Sequence, residues 1–161
     1  ILRDGGAQDI AALQQLNYTT GSGGYTNSTT PSIWPSKGVI TSPYGTRVDP
    51  VTGAASAFHE GVDIADDYGT PIVATAAGTV TFAGYTEGGY GNLVEIDHGN
   101  GFVTRYGHNS AVLVTPGMTV KQGQVIALMG STGKSTGAHV HYEVRINGSA
   151  VDPMVFLPIS N

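Results

Sequence analysis

The chain has no cysteine among its 161 residues, so neither a disulfide framework nor thiolate coordination of a metal is open to it. Basic residues are scarce: Lys and Arg together number 7 against 12 acidic side chains, a formal net charge of -5. A nucleic-acid partner needs a basic stripe to displace counterions from phosphates, and this balance excludes one. Apolar runs stay far below the ~20 residues that a membrane-crossing helix requires. Helical periodicity is missing between Ile33 and Pro158. The lack of cysteine is compatible with an oxidising compartment. A chain starting at Ile1 rather than Met reads as a processed or excised segment whose targeting signal has been removed.

What the chain does have is glycine, 24 residues of it, about twice the ordinary share of ~7%. Glycine at that density serves tight turns between short strands. Runs such as Gly78-Thr79-Val80-Thr81-Phe82, Asn92-Leu93-Val94-Glu95-Ile96 and Gln124-Val125-Ile126-Ala127-Leu128 are rich in β-formers and bounded by Gly, Pro or Asn. Turn signals every 8 to 12 residues predict an all-β fold, a compact antiparallel sheet or sandwich. Ahead of it, Ile10, Leu13 and Leu16 mark a short helix over Gln8 to Leu16. Thr19 to Ser32 is mostly Thr, Ser, Gly and Asn, which cannot bury a core and reads as linker. Residues 1–32 are therefore expected to be a helical remnant plus linker, and residues 33–161 the domain proper. Trp34, the single tryptophan, is expected to anchor the core or its edge.

The chemistry concentrates in two short stretches. In an extended strand side chains alternate faces, so His139 and His141 project to one side while Val140 and Tyr142 face the other. The same parity puts His59 and Asp63 on one face, with Gly61 leaving space between them and Val62 and Ile64 turned to a core. Two imidazole nitrogens and one carboxylate oxygen form the donor set of a catalytic zinc site, whose fourth position stays open for water. Spacing leaves open which of His139 and His141 coordinates. Asp63 is preferred to Asp66 and Asp67, which fall in an Asp-Asp-Tyr-Gly turn. His108 follows a strand and a glycine, and pattern alone leaves its role open. His98 lies in a hairpin turn, where an ordinary structural role is expected. Glu143 keeps the parity of the histidine pair; it either orients an imidazole N–H or is an exposed strand residue, and the exposed reading is preferred.

Taken in order, His59-x-x-x-Asp63, Tyr106-Gly107-His108, the Gly117 to Gly133 segment ending Gly130-Ser131-Thr132-Gly133, and His139-Val140-His141 resemble the LytM or lysostaphin-type zinc peptidases, which cut peptide bonds in bacterial peptidoglycan. The resemblance covers roughly Ile33 to Leu157, and the ordered set is specific although each piece alone is weak. It implies a compact antiparallel β fold with the metal in a groove. It also implies one Zn²⁺ held by His59, Asp63 and His141, with His108 and His139 as an unliganded catalytic pair. The longer stretch from Arg47 to Phe58 departs from the pattern and bears on the groove wall.

The function this implies is a zinc metalloendopeptidase acting on peptidoglycan stem peptides or cross-bridges. His139 would accept the proton of the attacking water with help from His108, since no glutamate stands between the ligands as it does in an HExxH site. Tyr44 and Arg47 are candidate donors to the oxyanion or the substrate. The expected partners are peptidoglycan peptides and other cell-envelope proteins, with no nucleic acid and no membrane span in this segment. The expected location is extracytoplasmic, in the periplasm, the cell envelope or the medium. The alternative is a catalytically silent LytM-like module that binds the wall or activates other wall enzymes. A carrier barrel of the biotinyl type would need a modifiable Lys at a hairpin tip; Lys121 and Lys134 lack that setting, and the histidines would go unexplained.

Overall fold

Alternation along His139-Val140-His141-Tyr142-Glu143-Val144 sets the layering of the molecule. Val140, Tyr142 and Val144 are buried in the main apolar cluster, while His139 and His141 are only partly covered on the opposite face. A strand sorts its residues in this way because its side chains repeat every two positions. The computed structural model describes residues 25–47, 51–53, 57–159 and 161. The helix expected over Gln8 to Leu16 lies outside the described residues.

Among the described residues, thirteen strands follow one another. The first five are β1 (Val39–Ser42), β2 (Gly45–Arg47), β3 (Ala57–His59), β4 (Val62–Ala65) and β5 (Pro71–Val73). The central four are β6 (Gly78–Thr86), β7 (Gly91–Gly99), β8 (Phe102–Asn109) and β9 (Ala111–Val112). The last four are β10 (Thr119–Val120), β11 (Val125–Leu128), β12 (His139–Ile146) and β13 (Ser149–Val151), followed by a single 3-10 turn at Pro153–Phe156. An eight-stranded sheet runs in the order β1-β4-β12-β8-β7-β6-β10, with β13 added to β12. A three-stranded sheet, β5-β11-β9, and a two-stranded ribbon, β2-β3, complete it. The strand pairings are antiparallel, as the turn spacing predicted.

The small sheet packs against the large one through a shared apolar cluster. All four residues of β11 are buried because the strand is covered on both sides. Ile126 and Ala127 join the large cluster with Val62, Ile64, Val94 and Tyr106, whereas Val125 and Leu128 join Val73 and Leu113 in a second one. Burying an aliphatic side chain is worth roughly 1.5–3 kcal/mol, so these clusters carry most of the stabilisation. Trp34 packs against the main cluster, as expected of an anchor.

Residues 25–32, expected to be linker, are seated by hydrogen bonds. Gln122 is the clasp. Its backbone exchanges two bonds with Thr26, and its amide donates to the carbonyls of Thr30 and Thr75 at 3.1 and 3.0 Å. Its carbonyl oxygen accepts from Thr26 Oγ1 at 2.6 Å. The Ala77 N–H donates to Ser28 at 2.7 Å. A segment too polar to bury a core is held instead by pairing its polar groups.

Candidate metal centre

The register of the large sheet builds the centre. In the β4–β12 pair, Asp63 stands directly opposite His141, and in the β8–β12 pair His141 stands opposite Gly107, one residue before His108. Side chains of directly opposed residues have Cβ atoms ~4.5–5.5 Å apart, so Asp63 and His141 meet by construction. His59 arrives from elsewhere. It ends β3 in the two-stranded ribbon, and the chain then crosses into the large sheet through Glu60 and Gly61. A single continuous strand from His59 to Asp63, as parity reasoning supposes, is therefore not what aligns them. Gly61 is needed at the crossing because a Cβ there would overlap the carbonyl of Tyr142.

Three donor atoms converge. His59 Nε2 lies 3.1 Å from His141 Nδ1 and 3.2 Å from Asp63 Oδ1, and His141 Nδ1 lies 3.1 Å from that same oxygen. The remaining ring nitrogens are already committed. His59 Nδ1–H donates to the carbonyl of Pro43 at 2.9 Å, and His141 Nε2–H donates to Glu143 Oε2 at 2.8 Å. When both rings are neutral, the three converging atoms present lone pairs and no hydrogen to one another. That repulsive arrangement suits a shared cation. Two nitrogens and an oxygen at ~2.0–2.1 Å from a tetrahedral Zn²⁺ would be about 3.3 Å apart, close to the edges observed. His59, Asp63 and His141 are also the group that geometry brings together as a metal cluster among the described residues.

The electrostatics agree. Burial alone would raise Asp63, but the His141 and His59 rings set against it outweigh that and hold the carboxylate well below its usual range. Burial alone would lower His141, yet bonds to Asp63 and Glu143 win and lift it to about 9. Without metal a proton on His141 relieves the lone-pair crowding, and a metal ion must displace that proton.

His139 and His108 stand beside this triangle. His139 Nδ1–H donates to the carbonyl of Gly137 at 2.9 Å, which leaves Nε2 as the basic nitrogen, 3.6 Å from Asp63 Oδ1. Ser135 Oγ also donates to that carbonyl and fixes the loop. The His108 and His139 ring centroids are 4.7 Å apart. His108 adopts a φ of 67°, in the left-handed region that a non-glycine residue enters at a cost of about 1–3 kcal/mol. Three bonds hold it there. Its N–H donates to Tyr90 O at 2.6 Å, its Nδ1–H donates to Thr132 O at 2.6 Å, and its carbonyl accepts from the Thr132 N–H at 3.4 Å. Burial pushes His108 down to about 4, against the pull of the Thr132 bond, so the ring is neutral at ordinary pH.

The remaining candidates have partners outside the triangle itself. His98 is buried between the Ala77 carbonyl and the Thr104 hydroxyl, with no bond to the metal triangle. The Tyr44 hydroxyl donates to the carbonyl of Ala150 at 3.2 Å, and its ring packs edge-on against Phe58. Arg47 pairs with Ala57 through the backbone, while its side chain lies outside what is described. Glu143 corrects its sequence reading: it is 1% exposed and bonded to His141, not an open strand residue. Tyr90 was missed altogether. Nothing in Gly-Gly-Tyr-Gly signals a functional residue, yet with Phe58, Glu60 and Lys134 it lines a groove of about 260 Å³ that opens onto His59, His108 and His141.

Comparison with known proteins identifies the family. Residues 57–153 match the description Peptidase family M23. The DD-carboxypeptidase/endopeptidase Mpg of Neisseria meningitidis is 49% identical over 120 residues, covering 74% of this chain and 27% of that protein. The murein hydrolase activator NlpD of Escherichia coli is 40% identical over 125 residues, covering 78% of this chain and 31% of its own length. The catalytic domain of lysostaphin, an antimicrobial peptidase from Staphylococcus simulans, superposes with a TM-score of 0.67 at 34% identity, covering 75% of this chain and 91% of that domain. The chain thus spans about a quarter to a third of the two sequence relatives. With its assembled donor set and a match over more than half its residues, the chain belongs to peptidase family M23.

Proposed function

We propose that the protein is a zinc-dependent endopeptidase acting on the peptides of peptidoglycan outside the cytoplasm. The observation that carries this reading is the triangle of His59 Nε2, Asp63 Oδ1 and His141 Nδ1, with edges of 3.1–3.2 Å. These three atoms would hold zinc. Bound there, zinc would bring the pKa of a coordinated water from 15.7 to about 7 and polarise the scissile carbonyl. His, His and carboxylate without thiolate is the donor set of a catalytic rather than a structural zinc site.

The chain's own residues then move the proton. His139, with Nδ1–H fixed on Gly137, offers Nε2 to the attacking water and accepts its proton. The same nitrogen returns that proton to the leaving amine. His108 enters neutral, with its Nδ1–H spent on Thr132, so its Nε2 is a hydrogen-bond acceptor that orients the water. Phe58 and Tyr90 supply apolar walls for the peptide, and Glu60 and Lys134 place opposite charges along the groove.

Identity with NlpD supports a second reading, a module that activates other murein hydrolases without cutting anything itself. The presence of all five site residues favours the enzyme. Purified sacculi incubated with metal-free and zinc-loaded protein, with released muropeptides identified by mass spectrometry, separate the two. Release that requires zinc and stops with a chelator is the expected result. No release by zinc-loaded protein, together with stimulation of a second hydrolase, would establish the activator instead.

A further inference from the structure

We propose that Glu143 is the positioning residue of the metal centre: its carboxylate fixes which nitrogen of His141 faces the metal and ties that ligand to the groove wall at Tyr90. The inference rests on the zinc reading of the His59, Asp63 and His141 triangle. Glu143 Oε2 accepts from His141 Nε2–H at 2.8 Å and from the Tyr90 hydroxyl at 2.7 Å. Oε1 accepts from Arg145 Nε–H at 2.8 Å. Arg105 stands 3.8 Å from Oε1 and donates to the Tyr90 hydroxyl at 3.0 Å. A carboxylate this deeply buried is costly unless every oxygen is used, and here both are.

The consequence for His141 is chemical. An imidazole has two nitrogens, and only the one without hydrogen binds metal. A buried anion at Nε2 keeps the hydrogen there, so Nδ1 carries the lone pair toward His59 and Asp63. A partner of this kind also raises the basicity of the ligand nitrogen. Tyr90 adds a second link. Its hydroxyl braces Glu143 while its carbonyl holds the His108 N–H at 2.6 Å, so one residue connects the metal ligand to the neighbouring histidine. Gly107 makes room for this, because a Cβ there would press on the Tyr90 ring.

The test is zinc affinity by competition with a chromophoric chelator on wild type, Glu143→Gln and Tyr90→Phe, with circular dichroism and melting as the check on fold. Glu143→Gln should bind zinc about 10–100-fold more weakly, the range expected when such a partner is lost. Tyr90→Phe keeps the ring in the groove and should weaken binding by no more than a few-fold. Nitrogen-15 spectra of histidine-labelled, zinc-loaded wild type should show His141 protonated at Nε2. A folded Glu143→Gln with wild-type affinity overturns the inference. So does a protonated Nδ1 on His141, a result that holds even where the variant fails to fold. None of these readouts needs peptidase activity: a protein that binds zinc in a Glu143-dependent way but cuts nothing would sink the enzyme reading and leave this one standing.

Discussion

Strand β12 carries polar hydrogen-bonded groups on both of its faces, and the two faces do opposite things. On the groove side, His139 and His141 join His59, His108 and Asp63, and ring nitrogens and a carboxylate oxygen converge where a proton or a metal ion can be shared. On the core side, Tyr142 begins a buried chain of partners. Its hydroxyl pairs with Thr75 Oγ1 at 2.7 Å, Thr75 with the Tyr106 hydroxyl at 3.0 Å, and Tyr106 with Thr104 Oγ1 at 2.7 Å. Thr104 then pairs with His98 Nε2 at 2.7 Å, and His98 Nδ1–H donates to the Ala77 carbonyl at 2.8 Å. Every group in that chain is satisfied within the protein, so it stabilises the fold and leaves nothing to react. Histidine content does not distinguish the two faces; spare lone pairs do.

The sharpest way to break the contrast is to remove a converging atom. His59→Ala or Asp63→Ala should reduce zinc to sub-stoichiometric levels and activity to background together. Elemental analysis beside muropeptide release checks this, and wild-type zinc content in His59→Ala would refute the ligand set. His139→Ala separates holding metal from moving protons. Activity should fall by about 10²–10⁴-fold while zinc stays near one per chain.

On the core side the order of effects should invert. Thr75→Val removes the hydroxyl that serves both Tyr106 and Tyr142, and should cost about 1–3 kcal/mol in urea unfolding as buried hydroxyls lose a partner. Zinc stoichiometry should not change. Loss of zinc in this variant would mean that the two faces are coupled and not independent.

The smallest effect concerns pH. Burial lowers His98 below the ordinary 6.5, against the raising effect of the Ala77 bond. The unfolded chain therefore takes up a proton that the fold resists. The stability contributed by neutral His98 is complete above 6.5 and declines as pH falls below it. His98→Gln keeps one donor and one acceptor but cannot titrate. Comparing urea midpoints at about pH 7.5 and about pH 5, wild type should lose more stability than the variant. Equal losses would show that His98 is not the sensor.

Much of this was legible in the chain, and the gaps have physical causes. The β class followed from turn spacing, and the pairing of His139 with His141 on one face followed from strand parity. Parity gave the wrong route for His59, because the chain changes sheet at Glu60 and Gly61 and no local pattern announces that. Glu143 was misread as exposed because its burial comes from Tyr90, Arg105 and Arg145, two of which belong to other parts of the chain. Residues 25–32 looked like linker because composition reports whether a segment can bury apolar surface. It does not report whether a distant glutamine will pair with it.

The sequence by itself determined the donor chemistry: which residues can bind a metal, that no thiolate is among them, and which histidines share a strand face. Those are properties of side chains and of a two-residue repeat, and both are local. Tertiary structure decided that Asp63 and His141 sit in register, that His59 reaches them from a different sheet, and that Nδ1 of His141 is the nitrogen that faces them. Each of these depends on strands far apart in sequence packing side by side, where a slip of one residue would turn every side chain to the opposite face.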